Sequence, residues 1–361
     1  MKKHAKKIFP ICFGDITEVL MKISLKHLFM VLLIGITAGS MSRAQVIKKA
    51  QVGFRFLENP VSAEVMGRGA VGVATTYNSN GIFWNPALIS QNDSKVDLSV
   101  NHTQGIADIN YNALAASIKL GDFGVLGFSL LAMDYGTFYQ TMRAANSQGY
   151  IETGTFSPTA IAIGTAFSQR VSNRFSYGVH LKYVRQNLGE AWVSTLGDSL
   201  GDPNLNPTKR KYEQSTFAID VGAFYDFHYN GIKFGAVLYN ISRELRYENQ
   251  DFPLPFAVSF GVTVQPLEFL FDNETAKSFV LSFESRHPRD YGEKAKFGLE
   301  YHFLDMFTAR VGYLSGYDER NWTAGVGVKG EVSGIPLRID YAFEPFGIFG
   351  NVHFISLGAA Y

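Results

Sequence analysis

Apolar residues two positions apart dominate most of this chain. Phe297, Leu299, Tyr301 and Phe303 share one face of an extended segment, and Lys296, Gly298, Glu300 and His302 share the other, because side chains alternate along a strand. Phe307, Ala309, Val311 and Tyr313 likewise oppose Thr308, Arg310 and Gly312. Trp322, Ala324, Val326 and Val328 oppose Thr323, Gly325, Gly327 and Lys329, and Ile335, Leu337, Ile339, Tyr341 and Phe343 oppose Arg338 and Asp340. The final stretch places His353, Ile355, Leu357, Ala359 and Tyr361 on one face. The second face carries charge and glycine instead of core side chains. Segments of this kind, bounded by turn residues, predict about fourteen strands near 94–103, 109–119, 124–134, 158–169, 174–186, 215–227, 232–243, 256–265, 277–286, 295–303, 307–315, 321–331, 335–343 and 352–361.

A soluble sandwich shows the same alternation, so periodicity alone does not separate it from a barrel. Loop parity does. Connections after even strands are tight, as at Leu120–Phe123, Arg170–Asn173, Tyr229–Gly231, Leu304–Met306 and Val332–Gly334. The two longest connections, Tyr135–Ser157 and Asn187–Gln214, follow odd strands. Transmembrane barrels have short inner turns and longer external loops in this alternation. A last strand ending on an aromatic fits closure as well, since a barrel pairs its last strand with its first and leaves no edge. Pro266–Ala276 departs from the rule, being long where an inner turn is due. Its Leu267, Phe269, Leu270 and Phe271 predict either a short helix at the inner interface or a packed loop.

Composition moves the picture toward lipid. The 361 residues include 30 Phe and 18 Tyr, and charged residues make up 18%, below the roughly 25% of soluble domains. Interfacial aromatics form girdles on membrane barrels. A net charge of +1 argues against a nucleic-acid partner, which needs a basic face. Residues 1–44 read as a signal peptide with an N-terminal extension. Lys22 and Lys26 precede a short apolar core from Leu28 to Gly39, and Ser42-Arg43-Ala44 is the cleavage site. The single cysteine, Cys12, lies in this part, so the mature chain is expected to lack a disulfide or thiol nucleophile. Residues 45–93 are then a segment of their own, and 94–361 the barrel.

Residues 53–90 do not alternate. They are compact, apolar and glycine-rich, suitable for a plug in a barrel lumen. Gly67-Arg68-Gly69 is a poor phosphate cradle, since no βαβ context surrounds it. The stretch FLENPVSAEVMGRGAVGVATTYNSNGIFWNPALIS resembles the N-terminal signature of the PorV/PorQ family of outer-membrane proteins, whose fold is similar to that of FadL. The matching residues are Phe56, Leu57, Pro60, Ala63, Met66, Gly67, Val73, Ala74, Trp84, Asn85, Pro86 and Ala87, with Gly69 nearby. Glu64 stands where the family commonly has Arg, Arg68 departs in the M-G-G position, and Ile82-Phe83 replaces a tyrosine. A C-terminal strand ending in an aromatic, here Tyr361, is also a feature of bacterial outer-membrane barrels and is taken as a barrel-assembly signal. The resemblance implies an all-β, transmembrane antiparallel barrel of about fourteen strands with an N-terminal hatch, in the outer membrane. It further implies work in type IX-like secretion or surface attachment, with outer-membrane lipid, the barrel-assembly machinery, and secreted proteins or secretion subunits as partners. A FadL-like channel for hydrophobic small molecules is the alternative.

Candidate chemistry is sparse. His102, His180, His287, His302 and His353 are isolated, and Ser315 misses the nucleophile-elbow pattern. An enzyme, a zinc site and a cofactor are therefore not expected. Asp198, Asp202, Asn204 and Asn206 offer calcium ligands but read better as turn residues. Lumen-side charges are more informative: Asp220, Asp226, Glu300, Arg310, Lys329, Arg338 and Asp340 must pair or be hydrated. Arg310 with Glu300, and Arg338 with Asp340 or Lys329, are the expected pairs. The two long external loops carry Phe138, Tyr139, Met142, Tyr150 and Trp192. These either bind partners or bury one another over the mouth.

Overall fold

The computed structural model describes residues 51–144, 146–194, 207–247, 249–271 and 274–361. The signal-peptide reading and the candidate calcium ligands lie outside them. Fourteen strands close an antiparallel barrel. They are β1 Val96–Gln104, β2 Asn110–Lys119, β3 Val125–Asp134, β4 Thr159–Arg170, β5 Phe175–Ser194, β6 Pro207–Asp226 and β7 Lys233–Ile241. The second half comprises β8 Ala257–Val264, β9 Phe279–Pro288, β10 Lys294–Phe303, β11 Phe307–Ser315, β12 Trp322–Val332, β13 Ile335–Pro345 and β14 Asn351–Ala360. Every strand pairs with its sequence neighbours, and β14 closes on β1 with Val100 opposite Leu357. Tyr361 completes the seam, exchanging backbone hydrogen bonds of 2.8 and 2.9 Å with Val96.

Each predicted strand is present, and the alternation resolves the two faces. Phe297, Val311, Val326, Ile339 and Leu357 lie on the exposed outer wall, while Lys296, Arg310, Asp340 and Ser356 are buried inside. An apolar outer band with a polar interior is the arrangement of a transmembrane barrel.

The external connections differ from simple loops. Phe138–Arg143 pairs with Tyr150–Phe156 as a separate hairpin. Strands β5 and β6 each run 20 residues and continue as a paired ribbon past a bulge between Asn187 and Glu190. A third small hairpin joins Leu245–Tyr247 to Gln250–Phe252. For the first hairpin the reason is local, because FYQTMR and YIETGTF are rich in the aromatic and β-branched residues that favour pairing. Pro266–Phe269 and Glu274–Lys277 are short helical turns. Leu270 and Phe271 are left exposed on the inner rim, in keeping with the short-helix expectation for that connection.

Residues 53–91 lie against the inward faces of the strands. Short helical turns at Arg55–Glu58, Ala63–Gly67, Gly81–Trp84 and Pro86–Gln91 are joined by tight reversals. Phe54, Phe56, Val65, Met66, Ile82, Leu88 and Ile89 are all nearly inaccessible.

Candidate functional site

The N-terminal segment is seated by backbone contact as much as by side chains. The Ala63 N–H donates to Ser356 Oγ at 2.8 Å and the Gly69 N–H to Thr323 Oγ1 at 3.0 Å. Asn85 Nδ2 donates to the carbonyls of Val73 (2.8 Å) and Ala223 (3.0 Å), while its Oδ1 accepts from the Ala87 N–H. The Ala87 carbonyl accepts from the hydroxyls of Ser168 and Ser176 on the wall. Trp84 donates to the Val61 carbonyl at 3.0 Å. Pro86 lies where a Cβ on wall residue Gly222 or Gly178 would intrude. The Trp-Asn-Pro-Ala run thus ties this segment to strands β4, β5 and β6. Phe56 and Pro60 face the cavity described below, and Leu57 packs on the core beside them.

Below this, charge fixes the segment to the opposite wall. Arg68 donates to Glu300 Oε2 (2.9 Å), Glu64 Oε1 (3.2 Å), Thr76 Oγ1 (3.2 Å) and the Val71 carbonyl (3.0 Å). Arg310 donates to Glu300 and, at 2.6 Å, to Asp340. The expected Arg310–Glu300 pair is present. The Arg338 pairing is not: Arg338 binds Asp97 through two bonds of 2.8 and 2.9 Å, because barrel closure brings β1 alongside β14, which pairs with β13. Lys329 is exposed near the inner rim, and Asp226 pairs there with Lys233 at 3.9 Å. Glu64 and Arg68 both enter the network. Glu284 is fully buried, accepting from Lys296 (2.8 Å) and the N–H groups of Gly72 (2.9 Å) and Val73 (3.2 Å). Sequence reading missed Glu284 and Asp97, although both fall on the polar positions of alternating strands.

His180 is not isolated in space. Its Nε2 lies 2.8 Å from Ser129 Oγ and its Nδ1 3.2 Å from Asp220 Oδ2. That is the connectivity of a serine-hydrolase triad. Two features weigh against such a role. Lys182 and the Asn240 N–H already hold the Asp220 carboxylate at 2.8 Å each, and the adjoining cavity measures only about 60 Å³. The cluster is better read as a satisfied polar core at a bulge, where the register slips between Ile219 and Val221. Of the other histidines, His302 meets Glu300 at 2.9 Å, while His102 rests on Asn112 and His353 on Tyr341, each at 2.8 Å.

Above the segment, toward the external end, lies a cavity of about 460 Å³. Phe56, Pro60 and Trp84 form part of its floor; Tyr111, Tyr317 and Phe354 stand in its wall. Five cations also line it: Arg55, Arg286, Lys294, Lys296 and Arg320. Tyr317 reports their field. Burial opposes its ionisation, yet Lys296, Arg320, Lys294 and Arg286 outweigh this and hold the phenol below its ordinary range.

The loop residues singled out by sequence do not line this cavity. Tyr139 is 76% exposed and Phe138 46%, with Phe138 stacked on Phe156 at 5.7 Å. Tyr150 and Trp192 are also exposed, and Met142 is half-buried. They stand on hairpins that project from the barrel.

No protein-family model matches the chain, and no curated relative matches it significantly. Solved structures do. The Ralstonia pickettii toluene transporter TbuX aligns with 13% identity and a TM-score of 0.55, over 86% of this chain and 98% of its own. The Pseudomonas putida toluene transporter TodX gives 13% and 0.54, over 82% and 96%. A Pseudomonas aeruginosa FadL homologue gives 13% and 0.52, over 84% and 98%. At such identities the likeness is one of fold, and it leaves the PorV/PorQ resemblance without a matching family. The chain has the FadL-like fourteen-stranded fold of an outer-membrane β-barrel.

Proposed function

We propose that this protein is an outer-membrane channel that takes up small hydrophobic compounds. The cavity would be its ligand site and the N-terminal segment its hatch. The observation that carries this reading is the aromatic cavity of about 460 Å³ resting on that segment, within the size range of small-molecule sites. The solved neighbours named as toluene transporters and as a FadL homologue lend weight to it; a role in secretion draws no comparable support from them.

The test is binding of small aromatic compounds to the purified barrel, followed by tryptophan fluorescence, since Trp84 lines the cavity. Val352→Trp, which fills the cavity from β14, is expected to weaken binding about tenfold through overpacking. Unchanged binding in a variant that keeps its heat-modifiable migration would remove the cavity from the reading.

Export or surface attachment is a second reading, favoured by the exposed aromatics Phe138 and Tyr139 on a water-facing hairpin. Deleting 137–156 is expected to leave barrel assembly and ligand binding intact, because the hairpin pairs with itself. If the same deletion abolishes co-purification of secreted proteins or secretion subunits, export becomes the better account.

A further inference from the structure

The charges around the cavity do not cancel. Arg55 pairs with Asp290 (2.6 Å) and Glu58 (3.0 Å), and Arg286 with Glu58 at 3.3 Å. Lys296 pairs with Glu284 at 2.8 Å and Arg320 with Glu344 at 3.2 Å. Four carboxylates thus attend four of the five cations. Lys294 is the fifth, and among the described residues it has no carboxylate within ion-pair distance. Its ammonium instead sits 3.8 Å from the Tyr317 ring centroid and 5.0 Å from that of Tyr291. Cation–π contact supports an ammonium only in part, and a half-buried cation without a counter-ion is costly. The remaining surface of the cavity is rich in rings, including Tyr111, Tyr135, Phe346 and Phe354.

From this juxtaposition we infer that the cavity selects small aromatic monoanions, aryl carboxylates in particular, with the anion on Lys294 and the ring among the aromatic walls. The inference rests on the channel reading and narrows its ligand class. One uncompensated cation calls for one negative charge. A planar ring meets the aromatic lining edge-to-face or offset, which an alkyl chain cannot do. A neutral arene would use the walls and leave Lys294 unpaired.

The experiment compares benzoate, toluene and octanoate on the purified full-length barrel by fluorescence titration at low salt. Benzoate is expected to bind at least about tenfold more tightly than either of the others, as a charge-assisted contact together with ring packing would give. Lys294→Met is expected to remove that advantage by weakening benzoate binding at least about tenfold, and Lys294→Arg to retain it. Toluene or octanoate binding as tightly as benzoate would overturn the inference while leaving the channel reading in place. Equal benzoate binding by folded Lys294→Met would do the same. If the Met variant does not assemble, the comparison of the three ligands on the native protein still decides. Failure of all three ligands to bind would overturn the channel reading itself.

Discussion

Gly312→Val is expected to expel the N-terminal segment from the lumen without preventing barrel closure. A Cβ on Gly312 would lie 1.9 Å from the Gly69 nitrogen, 2.2 Å from its Cα and 2.5 Å from the Arg68 carbonyl carbon. All three atoms are backbone, so no rotamer change relieves the clash. Gly69 has little freedom to retreat, because it holds a φ of +77° and donates to Thr323. Valine itself suits a strand, and β11 keeps its ladder to both neighbours. The measurement is conductance in planar bilayers, together with protease sensitivity of residues 51–93. Native protein should stay closed, and the variant should hold a steady open pore and be nicked in that segment. Gly330→Val is the matched control, since nothing lies within 4 Å of a Cβ built there. Closed behaviour in a folded Gly312→Val barrel would mean that the segment is not what seals the lumen.

Glu300→Ala is expected to cause the largest loss of stability among the charge substitutions. Glu300 is 8% exposed and accepts from Arg68 and Arg310, which are 2% and 4% exposed. His302 adds a contact at 2.9 Å. Removing the carboxylate takes the shared partner from two buried guanidinium groups, leaving Arg68 only Glu64 and Arg310 only Asp340 as counter-ions, and breaking a buried pair from one side typically costs about 3–5 kcal/mol. The cost should be shared between the barrel and the seat of the segment, because Arg68 belongs to one and Arg310 to the other. The temperature at which the folded form disappears from heat-modifiability gels should therefore fall clearly. Arg246→Ala, which breaks a solvent-exposed pair with Asp251, should leave it unchanged. Equal behaviour of the two variants would show that the lumen network is hydrated enough to carry no stability.

Both expectations concern residues that alternation had already placed inside. Gly298, Gly312 and Gly325 stood on the polar face of their strands with no evident purpose. Their purpose is contact: Arg68, Gly69 and Gly67 approach them backbone to backbone. A sequence shows that a small residue faces inward, but not what comes to meet it.

Strand number, facing and order were legible in the chain because they follow from short-range causes. Period-two alternation sets which side chains face lipid, and turn length sets which neighbours pair. The same short-range pairing continues across the seam, where Tyr361 meets Val96. The Trp84-Asn85-Pro86-Ala87 run was visible as a motif for the same reason, its residues being adjacent. Only the tertiary structure decided the rest. Arg68 reaches Glu300 across 232 residues and Arg338 reaches Asp97 across 241. Ser129, His180 and Asp220 meet from three different strands. Lys294 is recognisable as the cavity cation without a carboxylate partner among the described residues only once the other four cations have been given theirs. Such relations depend on the curvature of the closed wall and on where the N-terminal segment comes to rest inside it. Neither quantity is encoded in any local stretch of sequence, and both fix the site.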